Sequence, residues 1–338
     1  MIRRLAARLL GGALVVVGVS ILVFALGRVV PGDPARLALG PAASPEQVEA
    51  LRERLSLDEP LGVQYASYVR QALSGDLGIS LYTSRAVSAD VRHTFPATLE
   101  LVLFAMGFVA VAGVLFGVVG AMRRDSWLDH GLRLISVMSV TTPTFVWAVA
   151  AMLVFGFWLE LFPIAGRLSE WLLPPARVTG LYVVDAVIAG QWLHAADALH
   201  HLVLPAIALS LPALGQTARI TRASMVDVVE KPYIELARAY AIPERTIAFK
   251  YALRPASIPA LTILGLELVA LFGNAFLVEK VFAWPGLARY GVETILYKDL
   301  NGMMATVLIM TLLFVVVNAV IDVVIGLVDP RIRFREAS

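Results

Sequence analysis

Six long apolar runs, nearly free of charge, constrain this chain more than any other feature, because each matches the roughly twenty residues a helix needs to cross a bilayer. They cover residues 9–27, 101–122, 134–159, 202–218, 256–278 (interrupted by Glu267) and 300–321. In hydrocarbon the backbone N–H and C=O groups have no water to bond, so such runs must close their hydrogen bonds internally as helices. The rest of the composition agrees, with 59% hydrophobic and 16% charged residues among 338. We therefore expect an all-α integral membrane protein with six transmembrane helices. An even number of crossings returns both termini to one side. Arg3, Arg4, Arg8, Arg123, Arg124, Arg331, Arg333 and Arg335 all fall on that side, which the positive-inside rule makes cytoplasmic.

Other readings of these features are weaker. Arg3 and Arg4 before the first run, with Ala25-Leu26-Gly27 after it, resemble a secretory signal peptide, but the run exceeds the roughly 7–15 apolar residues of such a signal. Residues 181–192 are apolar but too short to cross, and carry Asp185; they are expected to form an extracytoplasmic surface helix. With no cysteine, the chain has no disulfide framework, thiolate metal site or cysteine nucleophile. Basic residues are scattered between the runs rather than gathered in a patch, so membrane orientation explains them and no nucleic-acid partner is expected. His200 and His201 are adjacent, so their side chains diverge on a helix; they read as interfacial anchors, and no metal site is expected.

Between the first two runs, span parity places about sixty-five residues outside. Ser44 with Gln47 three residues on forms a capping box ahead of Val48, Leu51 and Leu55. A second helix starts at Pro60, carries Val63, Ala66, Val69 and Leu73 on one stripe, and stops at Gly75. This module either covers helix ends or receives a soluble partner.

The stretch from Lys231 to Pro259 is charged yet helix-patterned, and Arg238, Arg245, Lys250 and Arg254 hold it on the cytoplasmic side. Pro232 suits a first helical position and Pro243 disfavours helix at Ile242, which brackets a short helix. Ala237, Ala239 and Ala241 would let its backbone approach a partner closely, with Glu235 and Arg238 fixing register. A second helix over 244–253 should end before Pro255, so that helix, break, helix, break form a stiff lever. The competing reading is an amphipathic connector on the membrane surface. Within the spans, Glu267 is costly in lipid and so should face a cavity or a partner, with Asn274 on the same face; the alternative is a structural hydrogen bond. Glu279 and Lys280 read as boundary residues. Asn318 and Asp322 read as helix-joining groups, and Thr141, Thr142 and Thr144 as partners for backbone freed by Pro143.

The segment Tyr233-Ile234-Glu235-Leu236-Ala237-Arg238-Ala239-Tyr240-Ala241 resembles the "EAA" coupling loop of ABC importer permeases of the dipeptide, oligopeptide and nickel type. Four further landmarks follow the order of that family: Pro31-Gly32-Asp33-Pro34, Ala97-Thr98-Leu99-Glu100, Phe282-Ala283-Trp284-Pro285-Gly286 and Asp329-Pro330-Arg331-Ile332-Arg333. Tyr240 replaces a usual lysine, Ala241 and Ala288 usual glycines, and Tyr251 a common histidine. Alanine in a left-handed helix end costs roughly 1–2 kcal/mol, so Pro243 is the expected terminator.

The resemblance implies a type I ABC importer permease fold. It divides the chain into a first transmembrane helix (1–30), an extracytoplasmic helical loop (31–96), a five-helix core (97–328) with its coupling loop at 219–256, and a tail (329–338). It implies as partners a homologous second permease, two ATPase subunits, an extracytoplasmic substrate-binding protein and membrane lipid. Tyr233, Ile234, Glu235, Ala237, Arg238, Ala239 and Ala241 are implied as the ATPase contact, while Glu267 and Asn274 are candidates for the translocation path. No Gly-x-x-x-x-Gly-Lys-Ser/Thr segment exists, so the chain has no ATP site of its own and no cofactor is expected in it. ATP and Mg would be bound by the ATPase subunits. Short peptides are the implied cargo, and nickel complexes, glutathione and oligosaccharides are alternatives. An ion-coupled secondary transporter is the rival from another class, although no pair of matching halves is visible.

Overall fold

The computed structural model describes residues 2–29, 34–40, 43–54 and 58–328. In chain order its helices are α1 Ile2–Val29, α2 Pro34–Leu39, α3 Pro45–Arg54, α4 Leu61–Leu73 and α5 Val87–Met122, then α6 Trp127–Thr141, α7 Thr144–Trp158, α8 Tyr182–Ile188 and α9 Trp192–Val229. α10 Pro232–Ala239, α11 Glu244–Val281, α12 Leu287–Leu296 and α13 Leu300–Val328 complete the order. Among the described residues the one extended pairing is an isolated bridge between Ile79 and Ala86. Four helices are long and apolar enough to cross a membrane, or five if the bent pair α6 and α7 counts as one span, and 10–26 is a shorter apolar stretch within α1. The landmarks at 31–33 and 329–333 lie outside the described residues.

The chain divides into two compact units, the first comprising residues 1–98 and 285–319 and the second 99–284 and 320–338. In the first unit the capping box of α3 forms reciprocally, Ser44 N–H donating to Gln47 Oε1 at 3.0 Å and Gln47 N–H to Ser44 Oγ at 3.3 Å. α4 starts after Pro60 and stops before Gly75 at φ +80°, but it is rotated from the expected face. Val63 and Leu73 are 48% and 84% exposed, and Gln64, Tyr65 and Tyr68 turn inward instead. The tyrosine rings pack 5.4 Å and 5.8 Å from Phe24 of α1, and Tyr65 Oη shares a 2.7 Å hydrogen bond with Ser20. Two large rings with one bonded hydroxyl bury more than the aliphatic stripe could. Thr98 Oγ1 accepts the Leu287 N–H at 2.8 Å, which fixes the start of α12.

The second unit is organised around α9, whose 38 residues run unbroken through Pro205 and Pro212. Small residues let its neighbours approach closely. A Cβ added at Gly117 of α5 would lie 2.5 Å from Thr221 Cβ, and one at Gly215 would lie 2.1 Å from Ser139 Oγ of α6. The run expected as one span over 134–159 is instead bent by 109° between α6 and α7. Thr142 is extended at ψ 130°, as a residue preceding proline prefers, and Pro143 supplies no N–H to carry α6 onward. Thr141 Oγ1 donates to the Val137 carbonyl at 2.9 Å, so it bonds its own turn and not the Ser139 carbonyl that Pro143 leaves without its helical donor.

Pro255 does not break the chain as expected, because α11 is continuous from Glu244 through it. A π-helical stretch, Ile247–Ala252, is separated by two residues from the proline and contains Tyr251, whose carbonyl is the one that a proline at 255 leaves without its α-helical donor. Glu279, expected at a boundary, is 0% exposed within the second unit. The apolar run at 181–192 contributes the short α8, while Trp192 already belongs to α9.

Candidate functional site

The short proline-bracketed helix expected from the sequence exists as α10, with Pro232 in its first turn and Lys231 as N-cap. It ends earlier than Pro243 requires. The Ala241 N–H donates to the Arg238 carbonyl at 2.8 Å and the Ile242 N–H to the Ala237 carbonyl at 3.1 Å, with Ala241 at φ +54°. This pair of bonds, spanning three and five residues, is a Schellman closure in which alanine occupies the left-handed position that glycine favours. The expected terminator is thus corrected: a strained alanine closes the helix, and Pro243 then starts α11 as its N-cap.

The seven residues assigned to partner contact divide into two faces. Ile234 and Ala237 are 0% and 8% exposed and sit in the chain's own core with Val118, Ala121, Met225, Ile247, Ala248, Ala252 and Ala256. They seat α10 against that core. Tyr233, Glu235, Arg238, Ala239 and Ala241 are exposed, although Arg238 Nε is committed to Glu244 Oε1 at 2.9 Å across the turn. Two residues missed in the sequence dominate the outer face, Leu236 at 56% and Tyr240 at 75% exposure, alongside Tyr233 at 46%. Positions 233, 236 and 240 follow the i, i+3, i+7 spacing of an amphipathic helix laid in a groove. That spacing is visible in the sequence, whereas of the three small residues expected to approach a partner Ala239 and Ala241 are exposed and Ala237 is buried.

Glu267 is half-buried midway along α11, and no hydrogen-bond or ionic partner among the described residues reaches its carboxylate. Asn274 is exposed on the same helical face and donates to the Ala270 carbonyl at 3.0 Å. The two therefore share a face without touching. His200 and His201 diverge as expected, His200 Nε2 lying 2.7 Å from the Leu161 carbonyl and His201 Nδ1 2.9 Å from that of Asp197. Asn318 bonds its own helix at the Phe314 carbonyl, and the Asp322 side chain lies outside the described residues. No group of three or more His, Asp or Glu among the described residues is placed to hold a metal ion.

A third cluster escaped the sequence because it is built on the irregular segment 159–181. Arg167, 5% exposed, pairs with Glu100 of α5, donates to the Gly180 carbonyl at 3.1 Å, and lies 3.7 Å from the Tyr182 ring centroid. The second Glu100 oxygen accepts the Val183 N–H at 2.9 Å. Beside it Asp185 accepts from the Thr179 N–H and hydroxyl, both at 2.7 Å, and from the Gly180 N–H at 2.8 Å. Burial pushes this carboxyl up, but the Thr179, Gly180 and Val178 bonds outweigh it and hold it below the usual carboxylate range. The segment is thereby pinned rather than loose.

Comparison with known proteins places these features in context. A family described as the binding-protein-dependent transport system inner membrane component matches residues 113–334, and its N-terminal companion matches 1–102. A probable D,D-dipeptide transport system permease protein of Escherichia coli (strain K12) is 40% identical over 328 residues, 97% of this chain and 96% of that protein. A dipeptide transport system permease protein of Alkalihalophilus pseudofirmus is 37% identical over 95% of this chain and 96% of its own length. A glutathione transport system permease protein of Escherichia coli O6:H1 is 33% identical over 99% of this chain and 100% of that protein.

Proposed function

Because the chain belongs to the binding-protein-dependent transport system inner membrane components, multi-pass permeases of ABC importers, we propose that it moves short peptides inward and is driven through α10. The observation that carries this reading is the two-sided character of α10, seated by Ile234 and Ala237 and presenting Tyr233, Leu236 and Tyr240 outward. Those anchors enter a groove on an ATPase subunit that binds ATP and Mg, a chemistry for which this sequence has no P-loop. Two ATPase subunits, a homologous second permease and an extracytoplasmic binding protein complete the machine. Peptide is preferred over glutathione as cargo because several peptide permeases stand among the relatives.

The mechanism follows from stiffness. When ATP closes the ATPase pair, α10 is displaced, and the unbroken α11 carries that displacement into the membrane. Swinging a two-state equilibrium from 1:99 to 99:1 takes about 5.5 kcal/mol of differential binding, which a flexible connector would dissipate. Glu267 and Asn274, on a face left open in the single chain, line the path or its border with the second permease. Counting the apolar stretch of α1 and the bent α6 and α7 as one span each makes six crossings, with both termini cytoplasmic.

Leu236→Asp and Tyr240→Asp test the reading by copurification of the ATPase subunits. Loss of the ATPases from an otherwise monodisperse permease is expected, and undiminished assembly in both variants would refute the docking assignment. Because the chain has no cysteine, single cysteines near each terminus report sidedness by labelling from one face of sealed vesicles. Labelling of both from the outside would overturn the proposed orientation.

A further inference from the structure

We propose that Asp129 and Arg222 form a positioning pair that carries displacement of α10 into α6, the first arm of the bent span; this rests on the reading that α10 docks on an ATPase. Asp129 is 0% exposed in the first turn of α6, where Ser126 Oγ accepts its backbone N–H at 3.3 Å. From α9, Arg222 donates Nε to Oδ1 at 2.6 Å and Nη2 to Oδ2 at 2.7 Å, a two-bond fork that fixes orientation as well as distance. The same carboxylate accepts the Asp125 N–H at 3.0 Å and has Arg133 Nη2 at 3.6 Å. One side chain thus ties the turn after α5, the start of α6 and the lower part of α9. Gly120 leaves it room, since a Cβ there would lie 3.2 Å from Asp129 Oδ1 and 3.3 Å from Arg222 Cδ.

The position of the pair suggests its role. Arg222 lies two turns before the end of α9 at Val229, and α10 begins three residues later at Pro232. Arg124, in the turn held by Asp129, pairs with Glu230 in the joint between α9 and α10. Higher along the same two helices, Ser136 and Ser139 of α6 are buried where Gly215 of α9 lets them approach. Two attachments at different heights suppress rotation between α6 and α9 as well as sliding. Beyond them the chain bends by 109° at Pro143 into α7. A buried ion pair is seldom the most stabilising choice for such a site, whereas a bidentate fork sets one register.

The test uses the assembled transporter with its ATPase and binding-protein partners. Spin labels at Trp127→Cys and Lys231→Cys, in a chain without native cysteine, report the distance between the start of α6 and the N-cap of α10. For Asp129→Asn we expect this distance distribution to broaden and peptide-stimulated ATP hydrolysis to fall at least fivefold, while the ATPases still copurify. The double variant D129A/R222A should be no worse than either single variant, because the pair acts as one unit. If Asp129→Asn does not fold, Arg222→Lys, which keeps the charge and loses the fork, carries the same expectation. Stimulated hydrolysis at the unmodified level, or an unchanged distance distribution, would overturn the proposal. Loss of ATPase copurification would also overturn it, by showing that the pair only maintains the fold. The α10 reading fails separately: Leu236→Asp and Tyr240→Asp that both still bind the ATPases refute the docking, and leave the α6 to α10 distance measurement to judge the pair.

Discussion

Ala241→Gly should tighten the end of α10, and its sign can be worked out from one dihedral angle. Ala241 sits at φ +54°, where an L side chain with a Cβ loses roughly 1–2 kcal/mol relative to glycine. Against this gain, glycine makes the unfolded chain more flexible by about 0.5–1 kcal/mol. The backbone bonds that close the helix, Ala241 to Arg238 and Ile242 to Ala237, involve no side-chain atom and are unchanged by the substitution. The net expectation is a stabilisation centred on about 0.75 kcal/mol, within a span of about 0–1.5 kcal/mol. Ala239 is the matched control, because it is exposed and is still helical as the last residue of α10. There glycine should destabilise by about 0.5–1 kcal/mol, so two identical substitutions two residues apart have opposite signs. Native-state hydrogen exchange of the amides from 234 to 242 measures the local opening directly: slowing of roughly 2- to 5-fold for Ala241→Gly, and acceleration by a similar factor for Ala239→Gly. Ala241→Val should accelerate exchange further, since a β-branched residue fits the left-handed region worst. If Ala241→Gly accelerates exchange as Ala239→Gly does, the left-handed closure is absent and the reasoning about how α10 ends is wrong.

Three further outcomes follow from the packing. Ile234→Ala should cost roughly 2–5 kcal/mol of local stability by leaving a cavity under α10, so thermal melting of the complex should fall and ATPase copurification weaken even though Ile234 is fully buried in the chain's own core. Gly117→Leu should abolish accumulation of folded protein, read by fluorescence-detected size exclusion, because even a bare Cβ meets Thr221 Cβ at 2.5 Å and the Ala218 carbonyl at 2.9 Å. The Asp185 carboxyl is held below its unfolded value of about 3.9, so its contribution is complete above that pH and is lost as the pH falls through the lower folded value. Hydrogen exchange of amides 178–185 should therefore be flat from about pH 5 to 8 after correction for intrinsic rates and rise only below about pH 4; Asp185→Asn should remove that acid step.

The apolar helices, of which four or five are long and apolar enough to cross a membrane, were legible in sequence because each is a local run of apolar side chains whose helical state is dictated by the solvent around it. The capping box at Ser44 and the start of α10 at Pro232 were legible for a similar reason, since caps and prolines act within one turn. What escaped depended on residues far apart in the chain. α4 turned its tyrosines inward because Phe24 and Ser20 of α1 offered ring and hydroxyl partners, which no periodicity within 61–73 encodes. α10 buried Ile234 and Ala237 because α5, α9 and α11 form a pocket of small side chains on that side. The π stretch before Pro255 accommodated a proline that local rules read as a break.

From the sequence alone came the all-helical membrane character and the place of the short helix α10, because hydrophobic length and turn chemistry are local and additive. Tertiary structure alone decided which face of that helix is open, that the run over 134–159 bends, and that Asp129 meets Arg222 ninety-three residues away. Such choices are set by competition among packed neighbours for the same space and the same hydrogen bonds, and the competitors are known only once the chain has folded.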